Sequence, residues 1–243
     1  MKICIAQTRP IAGDLQHNIS RHIQFTDMAA SFGADIIIFP ELSLTGYEPA
    51  LAESLALDPD DTRLDELVKV SEARRITIIA GVPTRHAAGI CISLIIFQPG
   101  KARQLYSTRY LHPDEEPFFI GGPEASGLIG ERNDLALAIC YEISVPQHAE
   151  LAFKNGAKIY VASVAKFANG VEKALVRLAD IGKDYSMTVS MANSIGPADN
   201  GICAGKSSIW DNKGALVGQL DDSHEGILIL DTEIGECQKK VYL

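Results

Sequence analysis

Glu41 and Cys140 are the residues of this 243-residue chain best suited, by type and setting, to act on a common substrate. Glu41 follows the run Ile36-Ile37-Ile38-Phe39-Pro40, and Cys140 follows Leu135-Ala136-Leu137-Ala138-Ile139. A carboxylate and a thiol held at the mouths of two apolar strands are the parts needed to attack a carbonyl or nitrile carbon. The thiol supplies the nucleophile and the carboxylate takes its proton. Partial desolvation at the end of so apolar a strand raises the pKa of Glu41 toward that of a general base. Cys140 precedes Tyr141-Glu142 and then Pro146 near a helix start. A thiol in that position gains thiolate character from the helix dipole. Each residue alone has a plainer reading, as a turn-capping glutamate or an inert buried cysteine.

These two residues meet only if the elements carrying them are brought end to end. KICIAQT is a short apolar strand, and residues 16–32 carry Ile19, Ile23, Met28 and Phe32 at helical spacing before Gly33. ADIIIFPE is almost continuously apolar, the pattern of a strand in a sheet covered on both faces. Residues 62–75 read as a helix with Leu64, Leu67, Val68 and Ser71 on one side, and ITIIAGVP as a buried strand. ICISLIIF and ARQLYSTRYL read as a hairpin about Gln98-Pro99-Gly100. LALAICYE, a helix through 146–155, KIYVASVA, a helix over roughly 170–186, and TVSMANS continue the alternation. KSSIWDNKGALVGQL and GILILDTE read as late antiparallel strands about an Asp-Asn-Lys-Gly turn. The pattern predicts an α/β layered domain, with no linker dividing residues 1–243.

Composition narrows the function. A net charge of −9 argues against broad nucleic-acid or anionic-membrane binding, which needs a basic face. The opening residues do not have the form of a secretory signal and no apolar stretch approaches a membrane span, so a cytoplasmic protein is expected. G-x-G-x-x-G after a strand, the P-loop and H-E-x-x-H are all missing, which leaves dinucleotide, nucleoside triphosphate and zinc-peptidase chemistry without support. The five cysteines are widely spaced and form no C-x-x-C pair, so neither a disulfide framework nor a structural zinc site is indicated. Cys4 and Cys91, inside apolar strands, read as small buried hydrophobes. The six histidines do not cluster; a Cys140 dyad with His148 or His112 is the rival, protease-like arrangement.

Taken in order, KICIAQTRPIAGDLQHNI, FPELSLTGY, AGVP, YSTRYLHPDEEPFFIGG, ALAICYE, NGAKIYVASVA and MANSIGPADNGICAGKSSIWDNKG resemble the nitrilase superfamily, the carbon–nitrogen hydrolases, nearly end to end. The resemblance implies an αββα four-layer sandwich, a homodimer, and a Glu–Lys–Cys catalytic set without a cofactor or metal. It places Glu41 on the base and Cys140 on the nucleophile. Glu115 falls on an assisting carboxylate, counted back from Gly122. The lysine motif reads Tyr-x-Lys-x-x-Leu; Tyr106 and Leu111 match its ends, and the lysine position holds Thr108. Losing one preorganised oxyanion donor costs about 10²–10³ in rate. Arg109, next door, would point to the opposite side of a regular strand. An arginine that relatives carry shortly after the cysteine is replaced by Ser144. Tyr47, Tyr141, Glu142 and Lys166 are expected at the substrate; Lys166 would either bind a substrate carboxylate or partly replace the missing cation. The function implied is hydrolysis of the amide or carbamoyl group of a small molecule through a cysteine thioester. The alternative is a catalytically impaired, ligand-binding regulatory member, on the strength of Thr108.

Overall fold

A computed structural model describes residues 1–123, 128–130 and 134–242. In chain order the first half contains β1 (Lys2–Gln7), α1 (Leu15–Ser31), β2 (Ile36–Ile38), α2 (Ala52–Leu55), α3 (Asp65–Arg74), β3 (Thr77–His86), β4 (Gly89–Phe97), β5 (Gln104–Ser107) and β6 (Leu128–Ile129). The second half contains β7 (Leu135–Ile139), α4 (Pro146–Lys154), β8 (Ile159–Val164), α5 (Ala168–Tyr185), β9 (Thr188–Asn193), β10 (Ile195–Ala198), β11 (Gly201–Ala204), β12 (Ser208–Trp210), β13 (Leu216–Gln219), β14 (Glu225–Asp231) and β15 (Cys237–Tyr242).

Two sheets and a hairpin result. A seven-stranded sheet runs β15-β14-β1-β2-β3-β4-β5, a six-stranded sheet runs β13-β12-β9-β8-β7-β6, and β10 pairs with β11 alone. The strands β1, β2 and β3 are parallel, as are β7, β8 and β9, while the flanking strands pair antiparallel.

The period-2 alternation of strand side chains divides the interior into three apolar layers. Ile3, Ile5, Ile36 and Ile38 of one sheet pack with Leu135, Leu137, Ile139, Ile159 and Val161 of the other. The intervening residues Cys4, Ala6 and Ile37 turn outward onto Ile19, Phe25 and Ala29 of α1 and Leu67 of α3. On the far side Ala136, Ala138, Tyr160 and Ala162 meet Ala149 and Ala152 of α4 and Val171, Ala174 and Leu178 of α5. Three apolar layers between four layers of secondary structure give the expected αββα sandwich. The continuous apolarity of ADIIIF and LALAI follows, because both faces of these strands are covered.

Three expectations need adjusting. The buried stripe of α1 is Asn18, Ile19, His22, Phe25, Thr26 and Ala29, rotated from the Ile19–Ile23–Met28–Phe32 stripe and including a histidine. Residues 62–64 form a 3₁₀ turn, and α3 itself begins at Asp65. The second arm of the hairpin ends at Ser107, so Thr108 and Arg109 lie beyond regular strand and their side chains are not bound by strand alternation.

Candidate active site

Glu41 sits in a tight turn, residues 40–45, that follows β2. Ser43 N–H donates to Pro40 O (3.1 Å) and Thr45 N–H to Leu42 O (3.0 Å), while Leu42 takes a left-handed φ of 50°. The turn crosses β3 at Gly81, where a Cβ would overlap the Leu42 backbone and lie 2.6 Å from Pro40 O. Only glycine permits that crossing. Behind the turn, His22 Nε2 meets Ser43 Oγ at 2.9 Å, and its ring packs on Phe39 with centroids 3.9 Å apart. From the other sheet, Ser163 Oγ donates to Phe39 O (2.9 Å) and ties β8 to the residues just before the glutamate.

Cys140 begins the 3₁₀ turn that follows β7, at φ 38°. A non-glycine residue held there costs of order 1–3 kcal/mol, which its surroundings must offset. Glu142 does much of that holding. Its Oε2 accepts from Ile139 N–H (2.8 Å) and Tyr106 O–H (2.6 Å), and its Oε1 accepts from Arg109 N–H (2.9 Å).

The two elbows face each other between the sheets. One donor atom each from Glu41, Glu115 and Cys140 lie within 4.8 Å of one another, and all three residues are buried at 1%, 2% and 7% exposure. Glu115 is fixed by Tyr47 O–H and by His112 N–H, both at 2.8 Å. Lys166 follows β8, and its positive charge is near enough to the Cys140 thiol, Glu41 and Glu115 to interact with all three. Its main chain is clamped: Lys166 N–H donates to Asn193 Oδ1 (2.8 Å), and Lys166 O accepts from Asn193 Nδ2 (3.1 Å) and Ala204 N–H (2.9 Å).

Electrostatics follow from the burial. Desolvation, reinforced by the Glu115 charge, pushes the Glu41 carboxyl well above the ordinary carboxylate range; Lys166, the Cys140 thiol and the Ala165 N–H pull the other way. Neither Glu41 oxygen has a hydrogen-bond partner of good geometry among the described residues. The Cys140 thiol is likewise pushed up, by burial first and the Glu41 charge second. The helix expected to follow the thiol starts later, at Pro146. A 3₁₀ turn of five residues begins at Cys140, and burial is the largest influence on its thiol. The groups that favour thiolate are Lys166 and the Ala165 N–H.

Among the described residues, Glu41, Glu115 and Cys140 are the trio whose donor atoms are close enough to share a metal ion. The Lys166 ammonium occupies the same surroundings and offers the compensating positive charge instead.

The other sequence candidates fall into place around this cluster. Thr108 is buried, but its hydroxyl donates to Tyr110 O (3.0 Å). The Arg109 guanidinium lies over the Tyr110 ring. Tyr47, whose hydroxyl meets Glu115, stands edge-on to Phe167 with centroids 6.1 Å apart, and Tyr141 stands edge-on to His112. The Glu142 oxygens are engaged by protein donors, which fits a residue that shapes the elbow rather than one that meets substrate. His148 Nε2–H donates to the Tyr106 oxygen (2.9 Å), whose own proton goes to Glu142, and Nδ1 accepts from Tyr160 O–H (2.8 Å), so both ring nitrogens are engaged. A cavity of about 310 Å³ opens beside this histidine network, lined by Tyr106, Arg109, Leu137, Glu142 and His148 rather than by Glu41 or Cys140. Sequence reasoning missed His22, Gly81 and Asn193. The glycine after Ile-Ile-Ala in an otherwise apolar strand was a readable sign of close backbone approach. Nothing local marked the other two.

The carbon–nitrogen hydrolase family model matches residues 2–241. An (R)-stereoselective amidase of Pseudomonas sp is 22% identical over 219 residues, covering 89% of this chain and 80% of that one. A glutamine-dependent NAD(+) synthetase of Thermotoga maritima is 24% identical over 250 residues, 97% of this chain but 42% of the synthetase. The chain thus spans less than half of that longer relative. Among solved structures, a mutant amidase from Nesterenkonia sp. AN1, with the acetamide moiety of fluoroacetamide on its active site cysteine, aligns with a TM-score of 0.86. Identity there is 21%, over 95% of this chain and 90% of that one, so the likeness is one of fold. By the near-complete family match, this chain belongs to the carbon–nitrogen hydrolase family.

Proposed function

We propose that the protein hydrolyses the amide or carbamoyl group of a small molecule through a thioester on Cys140. The observation that carries this reading is the convergence of Glu41, Glu115 and Cys140 within 4.8 Å in a buried site. Glu41 takes the thiol proton as sulfur attacks the substrate carbon, and the C=O pair moves onto oxygen. When the tetrahedral adduct collapses, the C–N bond breaks and nitrogen leaves with the proton held by Glu41, as ammonia or an amine. Water then gives a proton to Glu41 and attacks the thioester; the C–S bond breaks, sulfur regains a proton, and the acid departs. Glu115, held by Tyr47, orients the incoming group. The amidase named among the relatives supports an amide rather than a nitrile as substrate. The reading takes residues 1–243 as one domain, cofactor-independent, cytoplasmic and homodimeric. Among the described residues no helix is long and apolar enough to cross a membrane.

Incubation with a panel of simple amides and carbamoyl compounds, followed by mass spectrometry of the Cys140 peptide, tests the proposal. An acyl adduct together with ammonia or amine release is expected. Ligands that bind without acylating Cys140 favour a second reading, a ligand-binding member with impaired chemistry. The observation behind that second reading is Thr108, whose hydroxyl is committed to Tyr110 O and whose position carries no charge.

A further inference from the structure

Two carboxyl groups and a thiol crowd the buried site, and each step proposed above creates negative charge there, first on sulfur and then on the substrate oxygen. Burying such charge without a cation or converging donors is strongly unfavourable. The loop after β5 supplies none at Thr108. A positive charge does reach the cluster, from the opposite sheet.

We propose that Lys166 is a catalytic residue of this enzyme, the cation that stabilises both the Cys140 thiolate and the oxyanion of the tetrahedral adduct. The inference rests on the hydrolase reading. Three observations place Lys166 in that role. It leaves β8, the strand that pairs directly with the Cys140-bearing β7. Its main chain is held on both sides by the fully buried Asn193, which is itself fixed by Ser207 Oγ to its N–H (3.0 Å) and by Gly205 O to its Nδ2 (2.7 Å), so the root of the side chain is preorganised. The side chain of Lys166 brings its positive charge close enough to interact with Cys140 first, and with Glu41 and Glu115 as well. The charged groups facing the thiol are thus Glu41 from the turn after β2, Glu115 from the loop after β5, and Lys166 from the end of β8. A cation fixed before reaction stabilises developing charge without reorganising, which is the source of its effect on rate.

The test uses the whole protein in two readouts. The first needs no turnover: the rate of Cys140 alkylation by iodoacetamide against pH, followed by peptide mass, in wild type, Lys166→Met, Lys166→Gln and Lys166→Arg. The Met and Gln variants should be at least tenfold slower near pH 7, with the midpoint moved up by a unit or more; Lys166→Arg should stay within a few-fold of wild type. The Gln variant keeps the test alive should Lys166→Met fail to fold. The second readout is turnover of whichever amide the panel identifies, where the loss in the uncharged variants should be about 10²–10³-fold and lie in kcat. An unchanged alkylation profile in both uncharged variants overturns the proposal. So does a loss confined to KM for carboxylate-bearing substrates, which would make Lys166 a substrate anchor. Failure of every amide to turn over, with the alkylation profile shifted as expected, would instead count against the hydrolase reading.

Discussion

His22 Nε2 lies 2.9 Å from the Ser43 hydroxyl, joining the first helix to the turn that carries Glu41. The other ring nitrogen meets Asn18 O at 2.7 Å, and a carbonyl only accepts, so Nδ1 carries the proton and Nε2 receives the Ser43 O–H. The neutral ring is satisfied on both sides. Burial lowers its pKa from 6.5 to about 4.

A histidine with a depressed folded-state pKa stabilises the fold fully above its unfolded value and progressively less as pH falls toward the folded one. For His22 that window runs from about pH 6.5 to about 4 and amounts to about 3 kcal/mol. Unfolding free energies of wild type and His22→Gln from urea titrations, compared from pH 7 to pH 4, should converge by that amount. A gap that stays constant across the range would show that His22 does not titrate as its burial demands.

Glu41 carries the opposite sign. Its raised pKa means that ionising it in place opposes folding, so its contribution is best below the ordinary carboxylate value and declines as pH rises. Glu41→Gln should therefore melt at a higher temperature than wild type at neutral pH while losing about 10²–10⁴ in kcat. The acid limb of the pH–rate profile should fall above the ordinary carboxylate range. A Glu41→Gln variant that is less stable than wild type at pH 7 and 8 contradicts this account.

The left-handed backbone at Cys140 gives a test separate from chemistry. Both Cys140→Ala and Cys140→Gly should abolish turnover, but glycine adopts φ 38° freely whereas alanine does so at a cost. Cys140→Gly should be the more stable of the pair by about 1 kcal/mol in equilibrium denaturation. The reverse order would mean that the elbow relaxes when the sulfur is removed.

Glu142 offers two oxygens to three protein donors from Ile139, Tyr106 and Arg109. Glu142→Gln replaces one acceptor with a donor that faces another donor, at a cost of about 1–3 kcal/mol. Because those bonds set the elbow, kcat should fall while KM stays nearly constant. Full activity with unchanged stability would show that the turn is held by other contacts.

Much of the architecture is legible along the chain. Ile36-Ile37-Ile38 and Leu135 through Ile139 are apolar on both faces, and such strands have to be covered twice, which leads to layered α/β packing. Where each strand stops is equally local, so Glu41 and Cys140 are marked as chemistry at two strand mouths. The resemblance in FPELSLTGY and ICYE then supplies the roles proposed for them.

The rest depends on contacts between residues far apart in sequence. Whether two strand mouths face each other is fixed by how two sheets pack, through pairs such as Ser163 with Phe39, 124 positions away. The end of β5 at Ser107 turns the Thr108 hydroxyl onto Tyr110, and a one-letter sequence carries no sign of that. The direction of Lys166 is set by Asn193, 27 residues on, and the sign of the Cys140 shift by how completely the fold removes water around it. Residue type and periodicity fix which groups are available and which strand carries each. Burial, distance and charge balance belong to the packed interior, because desolvation and Coulomb energy depend on separations in space rather than along the chain.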